Sequence, residues 1–305
     1  MLTPLVALQA ALAAFTAYYL GAWYTGARAA HSVPDAPAEA KDSTMPNATH
    51  LGIGLVTNFF DTLGIGSFAP TTAIYKFFRI VPDRLIPGTL NVGHTIPTII
   101  QAFIYTAAIE VDQTTLILMI GSAVAGAWLG ANIVAGWPKR NIQLGMGFAL
   151  LVAAALFAWR NLGGGGTEAG TTGLEGTKLA LGMLGNFGLG ALMTLGIGMY
   201  APCMILVGLL GMNAAAAFPI MMGSCAFLMP VASARFVKKH AYARRPALGL
   251  AIGGIPGVLL AAYIFTSLPI YWVRWLVVGV VLIAATMMLN SAFTEKDEAP
   301  KNPKA

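Results

Sequence analysis

Apolar residues run along this chain in long blocks. They cover about 3–25, 50–79, 85–109, 113–136, 141–160, 179–211, 214–236, 246–267 and 271–292. Many approach or exceed the roughly 20 residues that carry a helix across a bilayer. All are read as helices. Between them lie a polar stretch, Ala29 to Thr49, and a flexible linker, "GGGGTEAGTTGLEG". The tail "TEKDEAPKNPKA" is solvated and expected to be disordered.

The pattern repeats. "TLGIGSFAP", from Thr62 to Pro70, returns as "TLGIGMYAP", from Thr194 to Pro202, with seven of nine positions identical at an offset of 132 residues. Pro87 pairs with Pro219 and Gly121 with Gly253 at the same offset, and Leu144, Gly147, Leu150 and Ala153 pair with Leu276, Gly279, Leu282 and Ala285. The expected organisation is an extra N-terminal helix (1–25), a polar loop (26–49), a first unit (50–160), a Gly-rich linker (161–178), a second unit (179–292) and the tail (293–305). Each unit is one long broken segment followed by three ordinary helices.

Composition agrees with a membrane setting. The 305 residues are 57% hydrophobic and only 10% charged, with mean hydropathy +0.72, whereas soluble domains carry about a quarter charged residues. The reading is an all-α polytopic membrane protein folded as one bundle. The first apolar run lacks the basic start of a signal peptide and continues through Tyr18, Tyr19 and Trp23, which suits a retained helix. The net charge of +6 then records topology, not nucleic-acid binding. Cys203 and Cys225, the two cysteines, form no CxxC motif and no disulfide framework.

Charge also bears on the broken segments. Residues 47–79 are too long for one upright span, and Gly64, Gly66 and Pro70 break a helix in their middle. If each broken segment turns back to its starting side, 15 of the 18 Lys and Arg residues collect on one face of the membrane, and only Arg160, Lys178 and Arg274 on the other. If it crosses once, the split falls to 12 and 6. The positive-inside rule favours the hairpin. Each unit then crosses an odd number of times, so the second is inverted relative to the first, a plan of secondary transporters. The C-terminus falls in the cytoplasm, with the N-terminus outside.

The two motifs would sit at hairpin tips entering from opposite faces. Pro70 and Pro202 suit the first turns of the returning half-helices, whose free N–H groups and partial positive charge attract anions. A small anion between the tips is therefore expected to meet Thr62, Gly64, Gly66, Ser67 and Thr71 from the first, with Thr72 beside them. From the second it would meet Thr194, Gly196, Gly198, Tyr200 and Cys203. The competing reading is that both tracts only permit tight packing.

These duplicated motifs, the following Pro87 and Pro219, and the charged central loop resemble the TauE/SafE family of sulfite and organosulfonate exporters over about residues 48–290. The resemblance implies export of a small sulfur-containing anion across the cell inner membrane. Composition and spacing by themselves leave the kind of small anion open.

Polar residues inside apolar blocks are the remaining candidates. Asp61 precedes the first tip, and its counterpart is Met193. Asn91, His94, Thr98 and Gln101 follow each other at spacings of 3, 4 and 3, a single stripe on one helix, with Thr95 beside it. Asp61 and His94 are candidates for proton coupling. Hydrogen-bonded packing is the alternative for the whole group. "RFVKKHAYARR", Arg235 to Arg245, reads mainly as a topology signal, and Gly249, Gly253 and Gly257 as a packing face.

The expected partners are a small anion and the lipid bilayer, with a homodimer left open and no nucleic acid. No cofactor and no metal are expected. An enzyme is the alternative. A thiol–disulfide carrier needs reactive cysteines in both halves, but Cys203 and Cys225 match Thr71 and Gly93. A membrane hydrolase finds no HExxH or GxSxG here, and an ATP-driven pump finds no P-loop.

Overall fold

The computed structural model describes residues 3–130, 138–164, 170–194 and 197–294. Among these, all regular structure is helical. Helix α1 (Pro4–Ala29) runs four residues past the expected end. Thr3 caps it, and Pro4 occupies the first turn, where its missing N–H costs nothing. The loop expected at 26–49 contains a 3-10 turn (Ala30–Ser32) and a short α2 (Ala38–Lys41).

The first unit opens with α3 (Ala48–Thr62), capped by Asn47, whose side chain accepts from the His50 N–H at 3.0 Å. The helix stops at a turn in which Gly64 and Gly66 take φ of 99° and 90°. Side chains rarely tolerate that region. Helix α4 (Phe68–Phe77) follows, then α5 (Ile86–Ala108), α6 (Gln113–Leu129) and α7 (Lys139–Trp159). The second unit consists of α8 (Gly176–Met193), α9 (Tyr200–Leu209), α10 (Ala217–Lys238), α11 (Arg244–Ser267) and α12 (Ile270–Thr294). Helices α4 and α9 start and stop 132 residues apart, and the starts of the other pairs agree with that offset within four residues. The linker is shorter than expected, because α8 begins at Gly176. Residues 165–169 and the tail from 295 onward lie outside the described residues.

Both broken segments turn back. Along α5, Asn58 of α3 reaches His94, and Thr62 reaches Tyr105. Helix α4 descends in the opposite sense: Thr71 meets His94, while Tyr75 packs in one cluster with Leu85, Leu90 and Ile53. In the second unit, Leu206 lies against Gly185 and Leu210 against Gly182. The end of α9 returns to the start of α8, where Thr171 and Met212 form an isolated bridge.

Backbone contact at small residues holds the units to each other. Helices α3 and α11 run parallel with Gly54 on Gly249 and Leu250, and Gly253 and Gly257 on the carbonyls of Leu51 and Leu55. The equivalent helices, α8 and α6, pair the same way, with Gly126 on Phe187 and Gly190 on Ala123. Helices α5 and α10 form a central antiparallel seam: the Ala243 N–H donates to Thr89 at 2.8 Å, Thr95 and Ser233 hydroxyls lie 2.8 Å apart, and Tyr105 packs on Phe218. Helices α7 and α12 are antiparallel too, as Arg140 to Ala292 and Gln143 to Ser291 indicate. Helix α1 lies across the seam, where Tyr19 donates to the Val92 carbonyl at 2.6 Å.

Five described helices are long and apolar enough to cross a membrane: Pro4–Ser32, Arg140–Gly163, Ala214–Lys238, Arg244–Ser267 and Ile270–Thr294. Helix α5 has comparable length but carries the polar stripe. Large apolar side chains such as Val152, Leu184 and Tyr263 are exposed on the outer surface, as lipid contact requires. This is a multi-pass, all-helical membrane protein. At one end of the bundle, Lys76, Arg84, Arg140, Lys239 and Arg245 gather. Arg160, Lys178 and Arg274 lie at the other.

The glycine contacts give a controlled comparison. A methyl on Gly253 would strike the Leu51 carbonyl, whereas one on its counterpart Gly121 meets nothing within 4 Å. Gly253→Ala is expected to lose about 1–3 kcal/mol through overpacking. Gly121→Ala should hold or gain up to about 1 kcal/mol through helix propensity. Thermal midpoints in detergent check this, and equal midpoints for the two variants would contradict the α3–α11 contact.

Candidate functional site

The turn between α3 and α4 leaves the helical ladder near the middle of α5, and nearby side chains rebuild its hydrogen bonds. Tyr105 donates to the Thr62 carbonyl at 2.9 Å. Gln101 donates through its amide nitrogen to Asp61 at 2.8 Å and to the Thr62 hydroxyl at 2.9 Å. Ser67, the residue before α4, turns its hydroxyl and its backbone N–H toward the same carboxylate. Asp61 thus stands where the sequence reading left room for a ligand, at the N-terminus of the returning helix. Asp61, Thr62, Ser67, Thr71, His94, Thr98 and Gln101 are all buried in one cluster.

One turn along, Asn58 gives its amide nitrogen to the Gly54 carbonyl at 2.7 Å, which aims its oxygen at His94 Nδ1, 2.9 Å away. Nδ1 therefore carries a hydrogen. His94 Nε2 lies 3.1 Å from the Thr71 hydroxyl, which also sits 2.7 Å from the Ser67 carbonyl. Thr71 has one hydrogen for two acceptors. With neutral His94 that hydrogen goes to Nε2, and the Ser67 carbonyl keeps its bond from the Thr71 N–H. With a second proton on His94, Nε2 donates and the Thr71 hydrogen turns to Ser67. Rotating one hydroxyl keeps a hydrogen bond at Nε2 in either state. Phe68 covers the ring, with centroids 5.7 Å apart.

The second turn reaches the same region through one residue. The Tyr200 hydroxyl approaches Thr98 and Cys225, and Cys225 lies 3.7 Å from the Met193 sulfur. Gly64 of the first turn abuts Met204 of α9. Gly66 and Gly198 have open space where a side chain would go. Gly198 is exposed between buried Ile197 and Met199. Irregular backbone at such depth is tolerated where it lines a wet cavity or is buried in protein.

Other candidates stand apart. Asn91 spends its amide on the Pro87 carbonyl at 2.9 Å, and Thr194 bonds back to Ala191 at 2.6 Å. Cys203 is buried among apolar neighbours without a polar partner in any hydrogen bond described. Gly196 lies outside the described residues. The sequence reading missed Asn58 and Tyr105. Asn58 was detectable, because with Asp61 and Thr62 it forms a polar run at spacings of 3 and 1 on α3. Tyr105 continues the Thr98–Gln101 stripe by one more turn.

Among the described residues, no group of three or more His, Cys, Asp or Glu side chains is arranged to hold a metal ion. The cluster brings carboxyl, amide, hydroxyl and imidazole groups within hydrogen-bond reach of one another. No family model, no curated protein and no solved structure matches the chain.

The Asp61–Gln101 bond is open to a double-mutant cycle. Gln101→Leu strips a buried carboxylate of its amide donor and is expected to cost about 1–3 kcal/mol. Gln101→Leu combined with Asp61→Leu should cost less than the sum of the single changes, with a coupling of about 0.5–3 kcal/mol. Additive losses in thermal or denaturant unfolding would mean that the two side chains do not interact.

Proposed function

We propose that the chain is a secondary transporter of a small anion, built as an inverted repeat of two units, each a helical hairpin and three further helices. The observation that carries the reading is the meeting of the two broken turns at one buried polar cluster, with Gly64 against Met204 and Tyr200 toward Thr98. The inversion is supported by equivalent helices lying antiparallel, α5 against α10 and α7 against α12. Transporters of this plan bind substrate where discontinuous helices end near the midplane. The orientation that follows has the Lys/Arg-rich end and the C-terminus in the cytoplasm of a cell inner membrane.

An anion between the tips takes donors from the N-terminal turns of α4 and α9 and from Thr71 and Tyr200. Asp61 opposes it while ionised, so anion entry to the first tip is linked to protonation of the Asp61–His94 region. This makes the coupled ion a proton. The resemblance to TauE/SafE exporters makes sulfite or an organosulfonate the substrate of choice and outward the direction. The enzyme alternative has no observation in its favour, since Cys203 and Cys225 are both buried and free and lie in the second unit alone.

The test is transport in proteoliposomes with sulfite, thiosulfate, sulfoacetate and small carboxylates. Gly198→Leu, which enters open space with no strained φ, should block uptake in a protein that still folds. Thr71→Val should weaken affinity by about 0.5–3 kcal/mol. His94→Gln and Asp61→Asn should abolish uptake driven by a pH gradient while leaving counterflow. Full transport by Gly198→Leu and Thr71→Val together would remove the anion from the tips. Unchanged gradient-driven rates in His94→Gln and Asp61→Asn would remove the proton.

A further inference from the structure

A cavity lies away from the polar cluster, at the end of the bundle opposite the basic loops. Its volume is about 80 Å³, several times the space that one water needs. Helix α7 contributes Arg160 and Asn161 from its end. The start of α12 contributes Arg274, and Asn213 comes from the turn after α9. Met204 also lines it. That is the residue against which the Gly64 turn rests, so α9 has one side chain between this cavity and the first turn.

Its charged groups and free amide nitrogens are donors. Arg160 and Arg274 carry two positive charges, and among the described residues no carboxylate lines the wall. The Asn161 amide nitrogen is buried with no acceptor, which is costly unless a ligand or water supplies one. Asn213 already uses its oxygen to accept from the Ala215 N–H at 3.0 Å, leaving its NH₂ as the group still to be satisfied. Guanidinium forks match planar pairs of oxygens on sulfate, sulfonate and phosphate groups. The counterparts of Arg160 and Arg274 in the other register are Ala292 and Ile142, so the feature belongs to one end only. A topology signal would not need it, because basic residues are otherwise concentrated at the far end.

We infer that this cavity is a binding site for a small oxyanion group, gripped by Arg160 and Arg274 with the Asn161 and Asn213 amides. Its role as the antechamber of the central cluster rests on the transport reading, but the binding site does not. Two sources can supply such a group. One is a free anion in the aqueous phase. The other is a lipid phosphate, since exposed Trp159, Tyr271 and Trp272 mark this end as the level of the membrane interface.

The experiment is calorimetric titration of lipid-depleted protein in detergent at low salt, with sulfate, methanesulfonate and phosphate as probes. Native mass spectrometry of protein purified with its lipids runs alongside. Wild type is expected to bind a probe saturably, with at least tenfold loss in Arg160→Gln and in Arg274→Gln and no measurable binding in the double variant. Arg274→Lys keeps the charge without the planar fork and should fall between, which controls for general damage. Monodispersity and thermal midpoint are checked for each. An anionic phospholipid retained by wild type and released by the double variant supports the same site and names lipid as the source. Neither probe nor lipid bound, or binding indifferent to both substitutions, overturns the proposal. Transport that persists in the double variant at low substrate concentration removes only the antechamber role. Binding without transport of any tested anion removes only the transport reading.

Discussion

A peptide group without a hydrogen bond is too costly to leave facing hydrocarbon, and this chain breaks two helices within a bundle built to sit in a membrane. Everything around the first break answers that cost. Tyr105 takes the Thr62 carbonyl, and Gln101 fastens the Asp61 carboxylate beside Ser67. The glycines at φ near 90° allow the reversal, but the side chains of α5 make it tenable. A polar stripe on α5 is therefore required by the turn before it is available to any ligand.

The rest of the packing delivers α5 to that position. Glycine faces let α3 touch α11 and α6 touch α8 at backbone distance, so the broken segment of each unit is clasped by a helix of the other. The α5–α10 seam then runs through the centre, closed by α1 on one side. Breaking either clasp would move a turn relative to the stripe that satisfies it. Stability and site geometry are in this way the same set of contacts, while Gly66 and Gly198 have open space where a side chain would go.

Much of this was legible in the sequence because breakers and periodicity are local. Gly64, Gly66 and Pro70, repeated at 196, 198 and 202, announced two turns, and the 3-4-3 spacing of Asn91, His94, Thr98 and Gln101 announced a stripe. Loop charge favoured hairpins over single crossings. What escaped depends on contacts far apart in the chain. Nothing near Asp61 in sequence says that Gln101 will hold it. Nothing near Tyr200 says that it will reach Thr98 while Thr194 folds back on Ala191. The motifs match, but the residues around them do not, and the first unit alone carries Asn58, Asp61 and His94. Their counterparts are Gly190, Met193 and Ala226, so the cluster is built almost wholly by one unit and completed by a single tyrosine of the other.

Whether the two halves truly oppose each other across a membrane is decided by the sidedness of equivalent positions. Asp83 and Ala215 are 132 residues apart and follow the two returning half-helices. Single cysteines at these positions, in a chain with Cys203 and Cys225 replaced by alanine, are to be labelled with an impermeant maleimide in intact cells and in inverted vesicles. Inverted halves require Ala215→Cys to react only in intact cells and Asp83→Cys only in inverted vesicles. Reaction of both positions from the same side would contradict the inversion and, with it, a site formed by hairpins that enter from opposite faces.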